Sequence, residues 1–464
     1  MKAIRLPLRG ATALLAVAFA ATVVSGARAE TSIVVDVATG AVLSQKDATK
    51  RWYPASTTKL MTAYVVLKAV KEGRIKLDAP VVMTRYAAAQ APSRMGFEPG
   101  SVMRLDNALR MMMVKSANDV AVAIAQTVGS HLQTGGAASA ERSPAAEPVS
   151  VGGPPKAPTL DISSPEAGAL AAFVDAMNAD ADRLGLKDTH FINPNGLPGE
   201  GQHSNARDLA LLGVTIRREL PEFLPYFGTE AISAGGAVLH NGNGLLGRFS
   251  GADGMKTGYI CASGFNLVGS ATRNGRTLVG VVLGSDRSSV RDRHMAALLE
   301  DGFGATPGAG SMKITDMAAG GGETADISER MCSPAGRTAR ANAVKAEEAA
   351  IAEATAKKKP SPVDLEALPE AGGPPTIVQV GLGGAAGTER IAANISLIPS
   401  YGIPRPTFRP NQPNDAAHAA AAAAKDAPLR GSDDTRTASA ANLADDLGVT
   451  KRGGIPVPTP RAAN

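Results

Sequence analysis

A serine and a lysine three residues apart are the first candidates for chemistry in this chain of 464 residues. Ser56 and Lys59 follow Pro54, and the apolar residues after them recur at three- and four-residue steps as far as Gly73, which predicts a helix. Because side chains three residues apart share one face of a helix, the Lys59 amine can stand beside the Ser56 hydroxyl. The pair is therefore a candidate nucleophile with its own base.

Lysine can take a proton from serine only while its amine is neutral. With an ordinary pKa of about 10.4, only about one lysine in 2,500 is neutral at pH 7. Burial and a second positive charge both lower the pKa of a lysine, because each disfavours the charged form. We therefore expect a second lysine near Lys59. The alternative is an ordinary helix start, since serine is a common N-cap and Ser-x-x-Lys is a short motif.

Two later motifs carry residue types that would complete such a site. Ser116-x-Asn118 stands between two stretches of helical composition, where a tight turn would point both side chains outward. Lys256-Thr257-Gly258 follows much later and supplies the second lysine. Each motif alone has a plain structural explanation, such as a capped polar loop. The three motifs together, in this order, are specific.

The surrounding pattern predicts an α+β fold. Two strand-like segments flank a glycine turn before Ser56, and two more surround Asn274-Gly275, a strong signal for a hairpin. Segments of helical periodicity lie between and after the hairpins, at 105–114, 120–128, 166–184, 204–212 and 291–302. We expect an antiparallel sheet that joins both ends of the domain and is flanked by helices.

Both ends of the chain and one internal stretch differ from this folded part in composition. Residues 1–29 combine a basic start, an apolar run shorter than the roughly 20 residues of a membrane span, and a small-x-small site at Ala29. They predict an export signal cleaved near Ala29, and a mature protein in the periplasm or cell envelope. Residues 133–164 and 305–464 are rich in Ala, Gly and Pro without apolar periodicity. We expect a disordered insertion and a largely disordered tail around a catalytic domain of residues 30–304.

Composition also limits the partners and cofactors. The formal charge of +5 is modest and scattered, which gives no case for nucleic acid, although a basic surface suits an anionic wall polymer. The six histidines form no pair with the spacing of metal ligands, so neither a metal nor another cofactor is expected. After export, Cys261 and Cys332 could form a disulfide, and two unpaired thiols are an equally good interpretation.

The three motifs, together with Asn193–Leu197 and Asp253–Tyr259, resemble those of the serine penicillin-binding proteins, most closely the low-molecular-mass D-alanyl-D-alanine carboxypeptidases. The resemblance covers about residues 30–304. It implies the DD-peptidase/β-lactamase-like fold. It also implies an enzyme that removes the terminal D-alanine from peptidoglycan pentapeptides through an acyl-enzyme, and that β-lactams acylate.

The same resemblance implies catalytic roles for three residues. Ser56 would attack the carbonyl between two D-alanines while Lys59 removes its proton. Ser116 would pass a proton to the leaving amine, held in place by Lys256. The charge of Lys256 would also help keep Lys59 neutral.

Substrate binding falls on the remaining motif residues. Asn118 would bond the substrate backbone, and Thr257 would bind the terminal carboxylate. Gly258 would leave room for a substrate along the strand edge. The backbone N–H groups of Ser56 and Tyr259 would stabilise the oxyanion.

Several rival interpretations are weighed against this one. A class A β-lactamase would need a Glu-x-x-x-Asn arrangement that is missing here, and a phosphate-binding loop at 250–257 lacks its two glycines. The β-rich second domain and amphipathic helix common in such carboxypeptidases are not found in the tail, so membrane anchoring is not evident. A D,D-endopeptidase of cross-links and a wall-binding or scaffold protein that uses the tail stay open. Asn195 and His203 are further candidates beside the site, with packing as their expected role.

Overall fold

The computed structural model describes residues 31–134, 163–308, 310–356, 368 and 371–383. The expected export signal at 1–29 lies outside these residues, as do nearly all of the expected insertion at 133–164 and the tail after residue 383. Among the residues that are described, no helix has both the length and the apolar character needed to cross a membrane.

The central sheet is antiparallel and joins the two ends of the region 31–304, as predicted. The strands are β1 (Thr31–Asp36), β2 (Val42–Lys46), β3 (Pro80–Val82), β4 (Val102–Arg104), β5 (Ala231–Ala234), β6 (Ala237–His240), β7 (Ala252–Ile260), β8 (Gly264–Arg273), β9 (Arg276–Ser285) and β10 (Ile377–Gln379). Five of them form the central sheet in the order β2-β1-β9-β8-β7. Asn274 and Gly275 turn between β8 and β9 with φ angles of 50° and 77°, the backbone of a tight hairpin.

Helices cover both faces of this sheet. The helices of the described residues are α1 (Lys59–Lys71), α2 (Arg85–Ala88), α3 (Leu105–Val114), α4 (Asn118–Thr134), α5 (Pro165–Leu184), α6 (Ala206–Glu219), α7 (Ser288–Gly304), α8 (Ser328–Cys332) and α9 (Pro334–Ala356), of which α6 and α7 pack on the sheet from opposite sides. Short 3₁₀ turns lie at Ala55–Thr58, Pro221–Tyr226 and Ile314–Asp316. Two helices run further than predicted: α4 reaches Thr134 and α6 reaches Glu219. In α6, buried side chains such as Ile216 continue the apolar face beyond the predicted end.

The two faces of the sheet bury different side chains. On β9, Val281 belongs to the large core shared with α1, α3, α4 and α6, whereas its neighbour Val282 belongs to a smaller cluster with Met295 and Leu299 of α7. This alternation is the period-two pattern of a strand buried on both sides. The predicted α+β architecture, a sheet with helices on its faces, is confirmed.

Within the tail that is expected to be largely disordered, the structure describes regular elements between residues 311 and 356 and between residues 371 and 383. β10 pairs in parallel with β5. α9 docks through Glu347, which accepts hydrogen bonds from Arg287 and Arg293 of the catalytic region. Cys261 and Cys332 form a disulfide, which decides the alternative left open above. The tail lacks apolar periodicity, which is why disorder is expected there. Charge pairs and a disulfide hold this part of the tail against the rest of the chain instead.

Candidate active site

The nucleophile candidate Ser56 lies on a 3₁₀ turn, whereas the sequence predicts an α-helix at this position. The turn spans Ala55–Thr58, and α1 begins directly after it at Lys59. The turn is closed by Thr57, whose hydroxyl donates to the carbonyl of Pro54 at 2.7 Å. Ser56 remains only partly buried, whereas Lys59 is fully buried. The Lys59 Nζ atom lies 3.0 Å from Ser56 Oγ, so the expected pairing is present.

Two other oxygens fix the orientation of the Lys59 amine. Its Nζ donates to Asn118 Oδ1 at 2.7 Å and to the backbone carbonyl of Asn195 at 2.6 Å. Neither acceptor is charged. A neutral amine has two N–H bonds and one lone pair, so these two acceptors use both hydrogens. In that neutral form the lone pair faces the Ser56 hydroxyl and can accept its proton, whereas a charged ammonium would donate a third hydrogen bond to Ser56 Oγ.

The surroundings of Lys59 favour this neutral form. Its pKa is lowered well below the ordinary lysine value, chiefly by burial and then by the positive charge of Lys256. The carboxylate of Asp119 opposes this shift. Asp119 is itself occupied, because it accepts hydrogen bonds from the backbone N–H groups of Met95 and Gly96. Burial and a second cation are thus the two causes that lower the pKa of Lys59.

Lys256 is the second lysine of the site and is also almost completely buried. Its Nζ donates to Ser116 Oγ at 3.0 Å and to the carbonyl of Thr257 at 3.0 Å. Its pKa is lowered to about 7, by burial first and then by the charge of Arg291. Ser116 reaches it from the turn between α3 and α4, where its φ of 59° makes the tight turn that the sequence predicts.

Asn118 is held from two sides at the start of α4. Its backbone N–H donates to Ser93 O at 2.7 Å, and its Nδ2 donates to Ala91 O at 2.9 Å. These contacts determine which end of the amide faces Lys59. Asn118 therefore presents an acceptor to the lysine and keeps a donor on the opposite end of its amide.

β7 passes directly beside the nucleophile because Gly258 has no side chain. A Cβ at this position would lie 3.0 Å from the backbone nitrogen of Ser56 and 3.1 Å from the carbonyl oxygen of Pro54. The glycine thus makes room for the turn that carries Ser56, in addition to the expected room for a substrate. Thr257 and Tyr259 flank it on β7, both partly exposed, and β7 is an edge strand of the central sheet.

Two contributors to the site go beyond what the sequence predicts. Asn195 is a candidate beside the site with packing as its expected role, yet its backbone carbonyl accepts a hydrogen bond from Lys59. A Cβ on the following residue, Gly196, would lie 1.8 Å from Ala55 O. The Asn-Pro-Asn-Gly turn was the available signal. Arg291, near the start of α7, acts on Lys256 through its charge, and no sequence pattern marks it.

Other candidates lie apart from this cluster. His203 is half-buried; its Nδ1 contacts the carbonyl of Gly201 at 2.8 Å, and its backbone pairs with that of His190. Glu200, an acid in the loop where a β-lactamase would carry its water-activating glutamate, is exposed. The described residues hold no group of three or more metal-ligating side chains.

A serine beside a buried lysine of lowered pKa, with a second lysine and an edge strand within reach, is the arrangement of serine enzymes that transfer acyl groups through a lysine base. The comparison with known families assigns the chain more narrowly. The chain belongs to the D-alanyl-D-alanine carboxypeptidase family, whose profile matches residues 18–134 and 159–287.

Individual relatives agree with this assignment. The chain is 32% identical over 277 residues to D-alanyl-D-alanine carboxypeptidase DacD of Escherichia coli K12, which covers 58% of this chain and 62% of the relative. The solved DacD of Francisella tularensis is 26% identical, with a TM-score of 0.50 over 65% of this chain and 74% of that one. Penicillin-binding protein 5 of Haemophilus influenzae is 30% identical, with a TM-score of 0.50 over 60% and 71%. The chain spans 62% of the length of DacD and 60% of that of DacA from Escherichia coli K12.

Proposed function

We propose that this protein is a serine D-Ala-D-Ala carboxypeptidase that removes the terminal D-alanine from peptidoglycan pentapeptides. The observation that carries the proposal is the position of the Lys59 amine, which lies 3.0 Å from Ser56 Oγ and donates to two uncharged acceptors, Asn118 Oδ1 and the carbonyl of Asn195. The related proteins are named D-alanyl-D-alanine carboxypeptidases and penicillin-binding proteins, which supports this substrate and acylation by β-lactams.

Acylation begins when Ser56 Oγ attacks the carbonyl carbon between the two D-alanines and its proton moves to Lys59. The carbonyl oxygen becomes an oxyanion, which the backbone N–H groups of Ser56 and Tyr259 stabilise. The C–N bond then breaks and leaves an ester on Ser56.

The leaving D-alanine needs a proton on its nitrogen, and the Ser116 hydroxyl supplies it. Lys256 donates to Ser116 Oγ and replaces the proton that Ser116 gives up. The extra proton on Lys59 returns through solvent to Lys256, which is one proton short, and water then attacks the ester with the neutral Lys59 again acting as the base. This step restores the Ser56 hydroxyl and releases the shortened peptide.

Recognition of the substrate is assigned to the edge of β7 and to Asn118. Thr257 binds the terminal carboxylate beside the positive charge of Lys256. Asn118 Nδ2 donates its remaining hydrogen to a backbone carbonyl of the substrate. Gly258 allows the peptide to lie close to both the strand and the nucleophile.

The substrate also fits the proposed location of the protein. Peptidoglycan lies outside the cytoplasm, and residues 1–29 have the composition of an export signal that ends near Ala29. We propose a periplasmic or cell-envelope enzyme whose catalytic domain begins at residue 30. Residues 133–164 are proposed as a disordered insertion, since they lack apolar periodicity.

The test is mass spectrometry of purified pentapeptide muropeptides, both monomeric and cross-linked, after incubation with the full mature chain. Loss of one D-alanine per peptide is expected with the wild type and with Ser130→Ala, a control at an exposed serine of α4, and not with Ser56→Ala. Splitting of dimers would identify a D,D-endopeptidase instead. If neither pool changes, the proposal is wrong and a wall-binding role of the tail takes its place.

A further inference from the structure

A disulfide joins the strand that carries Lys256 to a segment beyond the catalytic region. Cys261 follows β7 directly, two residues after Tyr259, and Cys332 is the last residue of α8. The two Cα atoms are 5.7 Å apart, across 71 residues of sequence. The family match ends at residue 287, so Cys332 belongs to a part of the chain that the match does not include.

Backbone contacts hold the same segment, Ala325–Ser333, against the ends of the central strands. The N–H of Ala325 donates to Arg51 O at 3.1 Å, and the N–H of Ile327 donates to Ala262 O at 3.0 Å. We refer to Ala325–Ser333 as the anchored segment. Its first half thus lies next to the chain that leads into the nucleophile turn and next to the chain that leaves β7.

Side chains of the anchored segment extend this contact to β8 and β9. Arg330 donates to the carbonyl of Gly284 at 2.9 Å and pairs with Asp286 at 3.1 Å. The Ile327 side chain packs so closely on Gly264 that a Cβ there would lie 3.0 Å from Ile327 Cδ1. The anchored segment therefore covers one end of the sheet, the end at which β7 finishes.

Two contacts restrict the Tyr259 side chain, one with β8 and one with the disulfide. The centre of its ring lies 4.3 Å from that of Phe265 on β8, and its hydroxyl oxygen lies 3.6 Å from Cys332 Sγ. The disulfide and the aromatic pair together restrict the position of Tyr259. Because the Tyr259 N–H is the proposed oxyanion donor, this restriction acts on a reacting group.

The direction of a bound substrate follows from the proposed function, on which this inference rests. The terminal carboxylate is placed at Thr257 and the oxyanion at Tyr259, and an extended peptide adds to an edge strand such as β7 as a further strand. The rest of the acyl group must then run past Tyr259 toward Cys261, and so toward the anchored segment.

We propose that the anchored segment forms the acyl-side wall of the substrate groove and positions Tyr259, so that acylation depends on the Cys261–Cys332 bond. Two effects follow from losing the bond. A less restricted Tyr259 lowers kcat for every substrate, because the oxyanion donor is displaced. A displaced wall raises KM only for substrates long enough to reach it.

The test compares the full mature chain with Cys261→Ser, Cys332→Ser and the double variant. Each is assayed with a pentapeptide muropeptide and with diacetyl-L-Lys-D-Ala-D-Ala, and rates are divided by the number of active sites titrated with fluorescent penicillin. We expect kcat to fall about tenfold for both substrates, and KM to rise only for the muropeptide. Poorly folded protein would lower the number of titrated sites and leave the KM ratio of the two substrates unchanged.

If the variants do not fold, the wild type is reduced under native conditions with dithiothreitol, which is oxidised while Cys261 and Cys332 become thiols. Alkylation of both thiols, seen by mass spectrometry, verifies the reduction. Per-site kcat and KM equal to those of the oxidised protein, for both substrates, would overturn the proposal. A wild type that neither binds penicillin nor cleaves either peptide would refute the proposed function instead, so the two failures are distinguishable.

Discussion

Substituting Gly258 by alanine tests whether the close approach of β7 to the nucleophile turn sets the reaction rate. The added Cβ would meet three backbone atoms, Ser56 N at 3.0 Å, and Pro54 O and Thr57 N at 3.1 Å, where ordinary contact begins at 3.4 Å. The strand and the turn must therefore separate by roughly 0.3–0.4 Å, and overpacking of this kind costs about 1–3 kcal/mol of stability. Because the separation widens the gap between the two proposed oxyanion donors, we expect acylation to slow by about 10- to 100-fold, part of the roughly 3 kcal/mol that one donor supplies.

The assay is the second-order rate constant for acylation by a fluorescent penicillin, measured beside thermal unfolding. The matched control is Gly304→Ala at the end of α7, where nothing lies within 4 Å of an added Cβ and both quantities should match the wild type. If Gly258→Ala acylates at the wild-type rate while remaining folded, the contact between β7 and the turn does not position the reacting groups, and the reasoning fails.

Two further predictions concern the pH dependence of acylation, read from profiles of kcat/KM against pH. Lys256→Ala removes the cation that helps lower the pKa of Lys59, so the acid limb of the profile, which reports Lys59, should move to higher pH. The alkaline limb near pH 7, which reports Lys256 itself, should disappear. An unchanged profile would exclude this role of Lys256. Arg291→Gln removes the positive charge that lowers the pKa of Lys256, so the alkaline limb should move above pH 7, whereas Arg291→Lys should leave it in place. The glutamine variant is combined with Asp292→Asn, because Asp292 would otherwise be left as a buried charge without its partner, which lowers the stability by about 3–5 kcal/mol.

The sequence was sufficient for those parts of the fold that depend on neighbouring residues. Asn274-Gly275 marked the β8–β9 hairpin because a tight turn needs residues that tolerate positive φ. The strands β5, β6 and β10 were not assigned to a sheet, because their pairing partners are short and, for β10, more than 140 residues away. The docking of α9 could not be predicted for a similar reason. Arg287, Arg293 and Glu347 have no local pattern that indicates an ion pair between them.

For the site, the reactive side chains could be predicted from the sequence, but the groups that surround them and shift their pKa values could not. Serine and lysine at 56 and 59 could be paired from helical spacing alone. The carbonyl of Asn195 could not be assigned, since every residue has a carbonyl and only the fold places this one on Lys59. The same holds for Arg291, whose charge matters only because α7 brings it near Lys256.

The two buried lysines also have a consequence for the stability of the protein. In the unfolded chain both have a pKa of about 10.4 and bind a proton at pH 7, whereas in the folded chain the pKa of Lys59 is far lower and that of Lys256 is about 7. The unfolded state thus binds more protons, so the contribution of these groups to the free energy of unfolding rises with pH, for Lys256 between about pH 7 and pH 10.4. At neutral pH, Lys256 alone leaves the fold on the order of 4–5 kcal/mol short of what it would contribute at high pH. A site that keeps its base ready to accept a proton is therefore a site that weakens the native state. An apolar side chain of similar volume in place of either lysine would remove this penalty together with the catalytic amine.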